Sequence, residues 1–452
     1  MRLRKTITTI VATAILLAGW QLFAVIANQP ELIPSLPRLV RTLCEWLVSG
    51  SFYQSVGATI FRGILGMSIS FVCAIGMAGL FARFEWVYEL FRPLLAIMRS
   101  IPVISFILLA LIFLNPESIP LMIAFLTMFP LLTENLTRGI LDLRPGLSIM
   151  ARQFHIKRSN VLFQIIYPQL KPFLYSGLAS AAGFGWRAII MGEVLSQCAF
   201  GIGSEMKRAQ NFIAVPELLA WTIVAVFISF FFDKGISKVA DITPKISFAN
   251  EDQTIPTPTL SVLDTKDISY QYGIQHFSHS FQKGIIYGIS APSGKGKTTL
   301  LNLIGDILLP TEGEIHPTRH FGIATIFQQP QLLPHLTAEE NIILPLSSFL
   351  TEEKARRIAQ KHLQEMEMEP FGNRYPKELS YGQQQRIAIA RALAYPSPLL
   401  LMDEPFKGLD EALSHRIIER IREKQMKEER IILFTSHNPD EIRLLADEVI
   451  YL

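Results

Sequence analysis

The residues with the clearest chemical meaning lie in the second half of the chain. Gly284–Ser290 (GIIYGIS) is a short β-branched run that predicts a strand. Ala291–Thr299 (APSGKGKTT) follows, and Leu300–Ile307 continues with helical character. A strand, a glycine-rich loop and a helix in that order fit the phosphate-cradling pattern GxxxxGK[ST], with Ala291 in place of the first glycine. Glycines let backbone N–H groups turn inward around an anion, and the helix N-terminus adds its positive dipole end. Lys297 would reach the β- and γ-phosphates and Thr298 would hold Mg²⁺. About 105 residues downstream, Leu399–Asp403 (LLLMD) predicts an apolar strand that delivers a carboxylate, and Glu404 follows it. An Asp at such a strand end can bind Mg²⁺ through water, and the adjacent Glu can polarise an attacking water.

Further motifs accompany this pair. Leu379–Gln383 reads LSYGQ and runs into QQRIAIARAL. Gln328 stands in IFQQP, Asp410 in GLD, His437 in LFTSH and Tyr272 in SYQYG. Together these resemble the ATP-binding cassette (ABC) transporter family over about residues 260–452. LSYGQ is similar to that family's LSGGQ signature, with Tyr381 at the third position. The resemblance implies an α/β P-loop NTPase domain binding ATP and Mg²⁺. It implies ATP contacts from Tyr272, Pro292, Ser293, Gly294, Lys295, Gly296, Lys297, Thr298 and Thr299, and from Ser380, Gly382, Gln383 and Asp410. It implies Mg²⁺ on Thr298, Gln328 and Asp403, and catalytic roles for Glu404, His437 and Gln328. In the family two cassettes face each other head to tail, so one chain with one cassette implies a homodimer with two composite sites.

These residues need a scaffold, and the composition of the chain describes it. Of 452 residues half are hydrophobic and only 18% are charged. That excludes disordered and collagen-like chains and disfavours a purely soluble enzyme. The charge is asymmetric. Residues 1–245 hold 21 Lys/Arg and 12 Asp/Glu, whereas 246–452 hold 21 and 27. A basic, apolar half is the pattern of a membrane domain with positive cytoplasmic loops. Nucleic acid is not an expected partner, because no Lys/Arg-rich run occurs. The three cysteines, Cys44, Cys73 and Cys198, form no CxxC, which argues against a disulfide framework or a zinc site.

Six apolar blocks predict six helical spans: Ile7–Ala27, Thr59–Phe81, Pro93–Leu114, Ile119–Leu136, Phe173–Leu195 and Pro216–Phe232. The first is read as an uncleaved span rather than a signal peptide. Lys and Arg cluster in the loops on one side, which makes that side, and the second half with it, cytoplasmic at the inner membrane. The expected organisation is a permease domain over 1–244, a linker over 245–258 (the polar 245–258 stretch has two late prolines) and a cassette over 259–452.

The loop over about 138–172, LSIMARQFHIKRSNVLFQIIYPQLKP, resembles the permease loop of ABC importers that docks as a short helix on the cassette. Ala151, Pro168 and Pro172 fall in its register. Ile149 and His155 take its Glu and Gly positions, and Tyr167 its Leu. Trp186–Glu193 (WRAIIMGE), Pro37 and Ile101-Pro102 are similar to permeases for nitrate, sulfonates, taurine and thiamine precursors. The resemblance implies a fused permease and ATPase importing a small solute from an extracytoplasmic binding protein. Trp186, Arg187 and Glu193 are candidates for the substrate path, and an Arg187 facing it would suit an anion. An exporter and a non-transporting ATP-binding regulator are the alternatives.

Overall fold

The computed structural model describes residues 2–240, 244–253, 260–271, 273–292, 294–317 and 322–452, without the side chains of 2–6, 9, 10 and 240. The chain forms two compact units. One comprises Met1–Leu143 with Gln169–Thr243, the other Arg144–Pro168 with Pro244–Leu452.

The first unit is helical. Gly50–Arg83, Ile119–Leu141 and Val215–Val239 are each long and apolar enough to cross a membrane, as is Arg158–Ser196, whose residues up to Pro168 belong to the second unit. The first expected span lies within the 26-residue helix Arg2–Ala27. The expected third span is not one straight helix. Glu85–Ser100 and Val103–Phe113 meet at a 94° bend, so the described residues supply four spans, or five if the bent pair counts as one. Pro102 causes the break: it has no N–H to donate, and it forces Ile101 into an extended conformation (φ −71°, ψ 131°). The helix Gly50–Arg83 buries a stripe of mostly small residues, Ser55, Thr59, Gly63, Gly66, Ser70, Ala74 and Ala78. A Cβ on Gly66 would lie 2.7 Å from the Ala124 Cβ of the helix Ile119–Leu141. Close backbone approach through small residues is how helices associate where no hydrophobic effect separates protein from lipid.

The second unit is α/β. Eight strands are described: β1 (Val262–Tyr270), β2 (Ile274–Gln282), β3 (Ile286–Ser290), β4 (Glu312–His316), β5 (Ala324–Ile326), β6 (Leu399–Asp403), β7 (Ile431–Thr435) and β8 (Glu448–Tyr451). A parallel sheet runs β5-β6-β7-β3-β8, and an antiparallel sheet runs β2-β1-β4. β6 and β7 are buried along their whole length, as their unbroken apolar runs require of central parallel strands. In such sheets ligands gather beyond the carboxyl ends of the strands. The register brings three of those ends together, because Asp403 pairs with Thr435 and Thr435 with Ile289.

The segment Arg144–Pro168 is built into this unit. Its helix Pro145–Gln153 buries Leu147, Met150 and Ala151, and Phe154 and Ile156 follow into the same core as Leu332, Leu333, Leu336 and Tyr395. The Phe154 ring meets Tyr395 edge-on at 5.1 Å. Of the expected linker, the described residues 245–253 lie along the cassette: Ala249 N–H donates to Ser347 O and Gln253 N–H to Phe349 O.

Candidate nucleotide site

The glycine-rich loop leaves β3 at Ser290 and enters the helix Lys297–Ile304. Gly294 and Gly296 adopt φ of +81° and +89°, the left-handed region that glycine enters without penalty. Space also demands glycine at 296, where a Cβ would lie 2.6 Å from the Gly273 carbonyl oxygen. The Lys297 side chain is buried, and its Nζ donates to Ala291 O at 2.6 Å, folded back across the loop it opens from. His437 Nδ1 lies 3.5 Å from the same nitrogen.

The other two strand ends supply oxygen. Asp403 Oδ2 accepts from Thr298 Oγ1 at 2.9 Å, and Asp403 Oδ1 accepts from Thr435 Oγ1 at 2.7 Å. Glu404 sits at φ +48°, pinned by hydrogen bonds from its N–H to the carbonyl and hydroxyl of Thr435. Its carboxylate faces His437 Nε2 at 3.0 Å and Lys407 Nζ at 3.4 Å. Burial pushes the Glu404 carboxyl upward, but hydrogen bonds from Gln328 and Lys407 and the nearby cations outweigh it and hold the group below its ordinary value. It is therefore a ready acceptor near neutral pH. A cavity of about 280 Å³ opens on Thr298, Asp403 and Gln328 and is closed on another side by Ile149 and Gly146. A hydroxyl and a carboxylate 2.9 Å apart, with an amide oxygen on the same cavity, are the hard donors that Mg²⁺ takes alongside water.

The signature residues stand at the start of the helix Tyr381–Ala394. The Ser380 hydroxyl accepts from Gln383 N–H, and the Gln383 side chain accepts from Ser380 N–H, a closed capping box. A Cβ on Gly382 would lie 2.6 Å from Gly408 O, so only glycine fits there. Asp410 caps the next helix by accepting from Leu413 N–H at 2.9 Å.

Lys297, Thr298, Asp403, Glu404, His437 and Gln328 thus form one connected cluster. Pro292, Gly294, Lys295 and Gly296 form the loop before it, and Thr299 follows on the helix. Tyr272 and Ser293 lie outside the described residues. Trp186, Arg187 and Glu193 are not brought to one surface. Glu193 is fully buried, accepting from Thr59 Oγ1, Gly203 N–H and Arg62, whose NH1 lies 2.7 Å away. Trp186 lines a cavity of about 180 Å³ with Gly63, Met67, Met128 and Phe232, while Arg187 lies on an exposed face.

Several contributors were not singled out in the sequence. Thr435 orients both Asp403 and Glu404; a hydroxyl ending an apolar strand two residues before His437 is the signal that points to it. Gln153 is 4% exposed and reaches from the end of its helix to Gly305 O and Thr325 Oγ1. Asn160 donates to Ser247 O and Ser347 Oγ and accepts from Ser247 N–H. Arg391 is fully buried and donates to Gln331 O at 2.6 Å over the Phe154 ring; burial pulls its guanidinium down to about 10.

Comparison with known proteins shows what each half of the chain is similar to. Residues 274–407 match the ABC transporter family, and residues 66–233 match the binding-protein-dependent transport system inner membrane component family. An uncharacterized ABC transporter ATP-binding protein of Methanocaldococcus jannaschii is 34% identical over 40% of this chain and 85% of its own length. The Fe(3+) ions import ATP-binding protein of Rhizobium etli is 35% identical over 40% of this chain and 54% of its own. The glucose import ATP-binding protein of Saccharolobus solfataricus is 35% identical over 38% and 52%. The chain therefore spans about half the length of the iron and glucose relatives. A solved dimeric cassette bound to ADP and Pi is 32% identical over 42% of this chain and 94% of its own, with a TM-score of 0.40.

Proposed function

The chain belongs to the ABC transporter family, and from that premise we propose that it is an ATP-driven importer with permease and ATPase fused in one polypeptide, working as a homodimer. The observation that supports this best is the convergence of Lys297, Thr298, Asp403, Glu404 and His437 at three adjacent strand ends of a chain whose other unit is a bundle of membrane-length helices. The match of residues 66–233 to a binding-protein-dependent component favours import over export and implies an extracytoplasmic binding protein as partner.

In this reading Lys297 exchanges Ala291 O for the β- and γ-phosphate oxygens of ATP, while the loop N–H groups and the helix N-terminus hold the rest of the chain of phosphates. Thr298, Asp403 and Gln328 would hold Mg²⁺, which when bound would offset negative charge on the phosphates. Glu404 accepts a hydrogen bond from the attacking water and aligns it. His437, 3.0 Å away, orients that carboxylate and faces the γ-phosphate side. Ser380, Gly382 and Gln383 would present a helix N-terminus to the triphosphate of a second copy. Nucleotide then acts as an adhesive between cassettes that hydrolysis releases, a two-state element of the kind transport needs.

The segment Arg144–Pro168, part of the cassette unit though flanked by membrane-unit sequence, would transmit that change. The cassette belongs in the cytoplasm on the distribution of Lys and Arg, and the membrane would be the inner one. The solute is small; the nitrate, sulfonate and taurine group that WRAIIMGE resembles supplies the first class to test. Purified protein in liposomes should hydrolyse ATP, and Glu404→Gln should bind ATP without turnover. Full turnover in that variant would refute the role of Glu404. Nucleotide binding with no hydrolysis by the wild type would favour a regulator, and solute efflux an exporter.

A further inference from the structure

The third signature position, glycine in the pattern that LSYGQ resembles, is Tyr381, and its hydroxyl is engaged. Tyr381 Oη donates to the backbone carbonyl of Gln328 at 2.7 Å, across 53 residues of sequence. The Gln328 side chain in turn lies beside the Glu404 carboxylate. The Tyr381 ring is seated as well. Gly408 carries φ +78°, and a Cβ there would lie 2.7 Å from Tyr381 Cδ1, so the ring occupies the space that this glycine leaves. Residues 328–331 form no helix or strand, and the helix Tyr381–Ala394 holds them at two carbonyls. Tyr381 at its first residue takes Gln328 O, and Arg391 near its end takes Gln331 O at 2.6 Å. Arg391 is fully buried with its Nε and one terminal nitrogen unpartnered, so it has no cheap alternative to that carbonyl.

We propose that Tyr381 is a positioning residue for ATP hydrolysis: its hydroxyl fixes the Gln328 backbone so that the Gln328 amide sets the Glu404 carboxylate for the attacking water. This rests on the hydrolytic reading above and deepens it, because it links the signature helix to the water-aligning pair of the same chain. A glycine at this position can make no such bond. Tyr381 touches neither the loop 291–296 nor Lys297 in the described contacts, so its effect belongs to turnover rather than to nucleotide affinity.

The test uses the full-length protein in liposomes, with Tyr381→Phe and Tyr381→Gly compared with wild type at saturating and limiting MgATP. Tyr381→Phe keeps the ring on Gly408 and removes only the hydroxyl. The expected result is a fall in kcat of about three- to tenfold, the scale of one net neutral hydrogen bond, with KM for ATP unchanged. Tyr381→Gly should fall at least as far. Wild-type kcat in Tyr381→Phe would overturn the inference while leaving the ATPase reading intact, as would a raised KM with unchanged kcat, which would assign the ring to nucleotide binding. A wild-type protein that binds ATP and never hydrolyses it would overturn both. Should Tyr381→Gly fold poorly, Tyr381→Phe alone decides.

Discussion

The most quantitative consequence of the structure concerns Gln153. Its Nε2 donates to Gly305 O at 2.5 Å, at the C-terminus of the helix that begins with Lys297, and its Oε1 accepts from Thr325 Oγ1 at 3.2 Å in β5. Its backbone oxygen also takes Ile323 N–H at 2.7 Å, alongside the edge strand of the parallel sheet. Gln153→Leu keeps most of the side-chain volume and leaves the Gly305 carbonyl and the Thr325 hydroxyl without partners. Each orphaned buried group costs about 1–3 kcal/mol, so the variant loses about 2–6 kcal/mol of local stability. Gln153→Ala opens room in which water can reach the same two groups, and its loss should sit near about 1–2 kcal/mol. Hydrogen exchange of the backbone amides in 297–305 and 323–326 reads this directly. At a tenfold change per 1.4 kcal/mol, Leu should speed exchange by about thirtyfold or more and Ala by about fivefold to thirtyfold. The ordering is the discriminating result. If packing volume rather than paired polar groups secures this segment, Leu protects better than Ala. That outcome would refute the reasoning. The same variants should lower solute transported per ATP hydrolysed if the segment transmits the change of state.

Three other expectations follow from single residues. His155 adopts φ +45°; His155→Val should cost about 1–2 kcal/mol, because a β-branched residue is disfavoured in the left-handed region, whereas His155→Gly should cost nothing measurable in a thermal shift assay. Arg62→Leu leaves the fully buried Glu193 without its cation and should cost about 3–5 kcal/mol, seen as lost yield and monodispersity in detergent, and adding Glu193→Gln should restore much of it. Burial lowers the pKa of His362, opposed by Glu365 and reinforced by Lys424. The unfolded chain therefore binds the proton first as pH falls, so this contribution is complete above the ordinary histidine value and drains as pH drops through the lower folded value. A His362→Gln variant should show a flatter loss of protection in the helix Glu352–Glu365 over that acidic range, and an unchanged slope would count against it.

How far the sequence disclosed the site depends on whether a residue's role is local. Asp403, Glu404 and His437 lie at or just after a strand end, and Lys297 and Thr298 open the helix that follows the loop from β3, so local pattern and spacing point to all five. The segment Arg144–Pro168 was legible through its resemblance to the importer loop; in the structure Leu147, Met150, Ala151 and Phe154, at helical spacing, are buried. Gln153 falls off that stripe and is buried nonetheless, because its partners, the end of one helix and an edge strand, come from sequence about 150 residues away. The third span shows the converse: Pro102 was visible, but a proline announces only that the helix stops, and the 94° change of direction depends on what packs around it.

Departures from the family pattern are informative in the same terms. His155 stands at the position that resembles the importer loop's glycine, and its backbone takes a left-handed turn that glycine would make freely. Ile149 stands where that loop has a glutamate and faces the cavity beside Gln328 and Gln331. The wall is apolar there, and the polar contacts of the segment come from Gln153 and Asn160. Tyr381 adds a contact that glycine lacks. The three substitutions fall on or beside the loop 327–331 or on the segment packed against it. If they compensate one another, restoring glycine at 381 alone should impair turnover more than restoring it together with glutamate at 149, and a double-mutant cycle on kcat measures that difference. Strict additivity would show that each departure is independent.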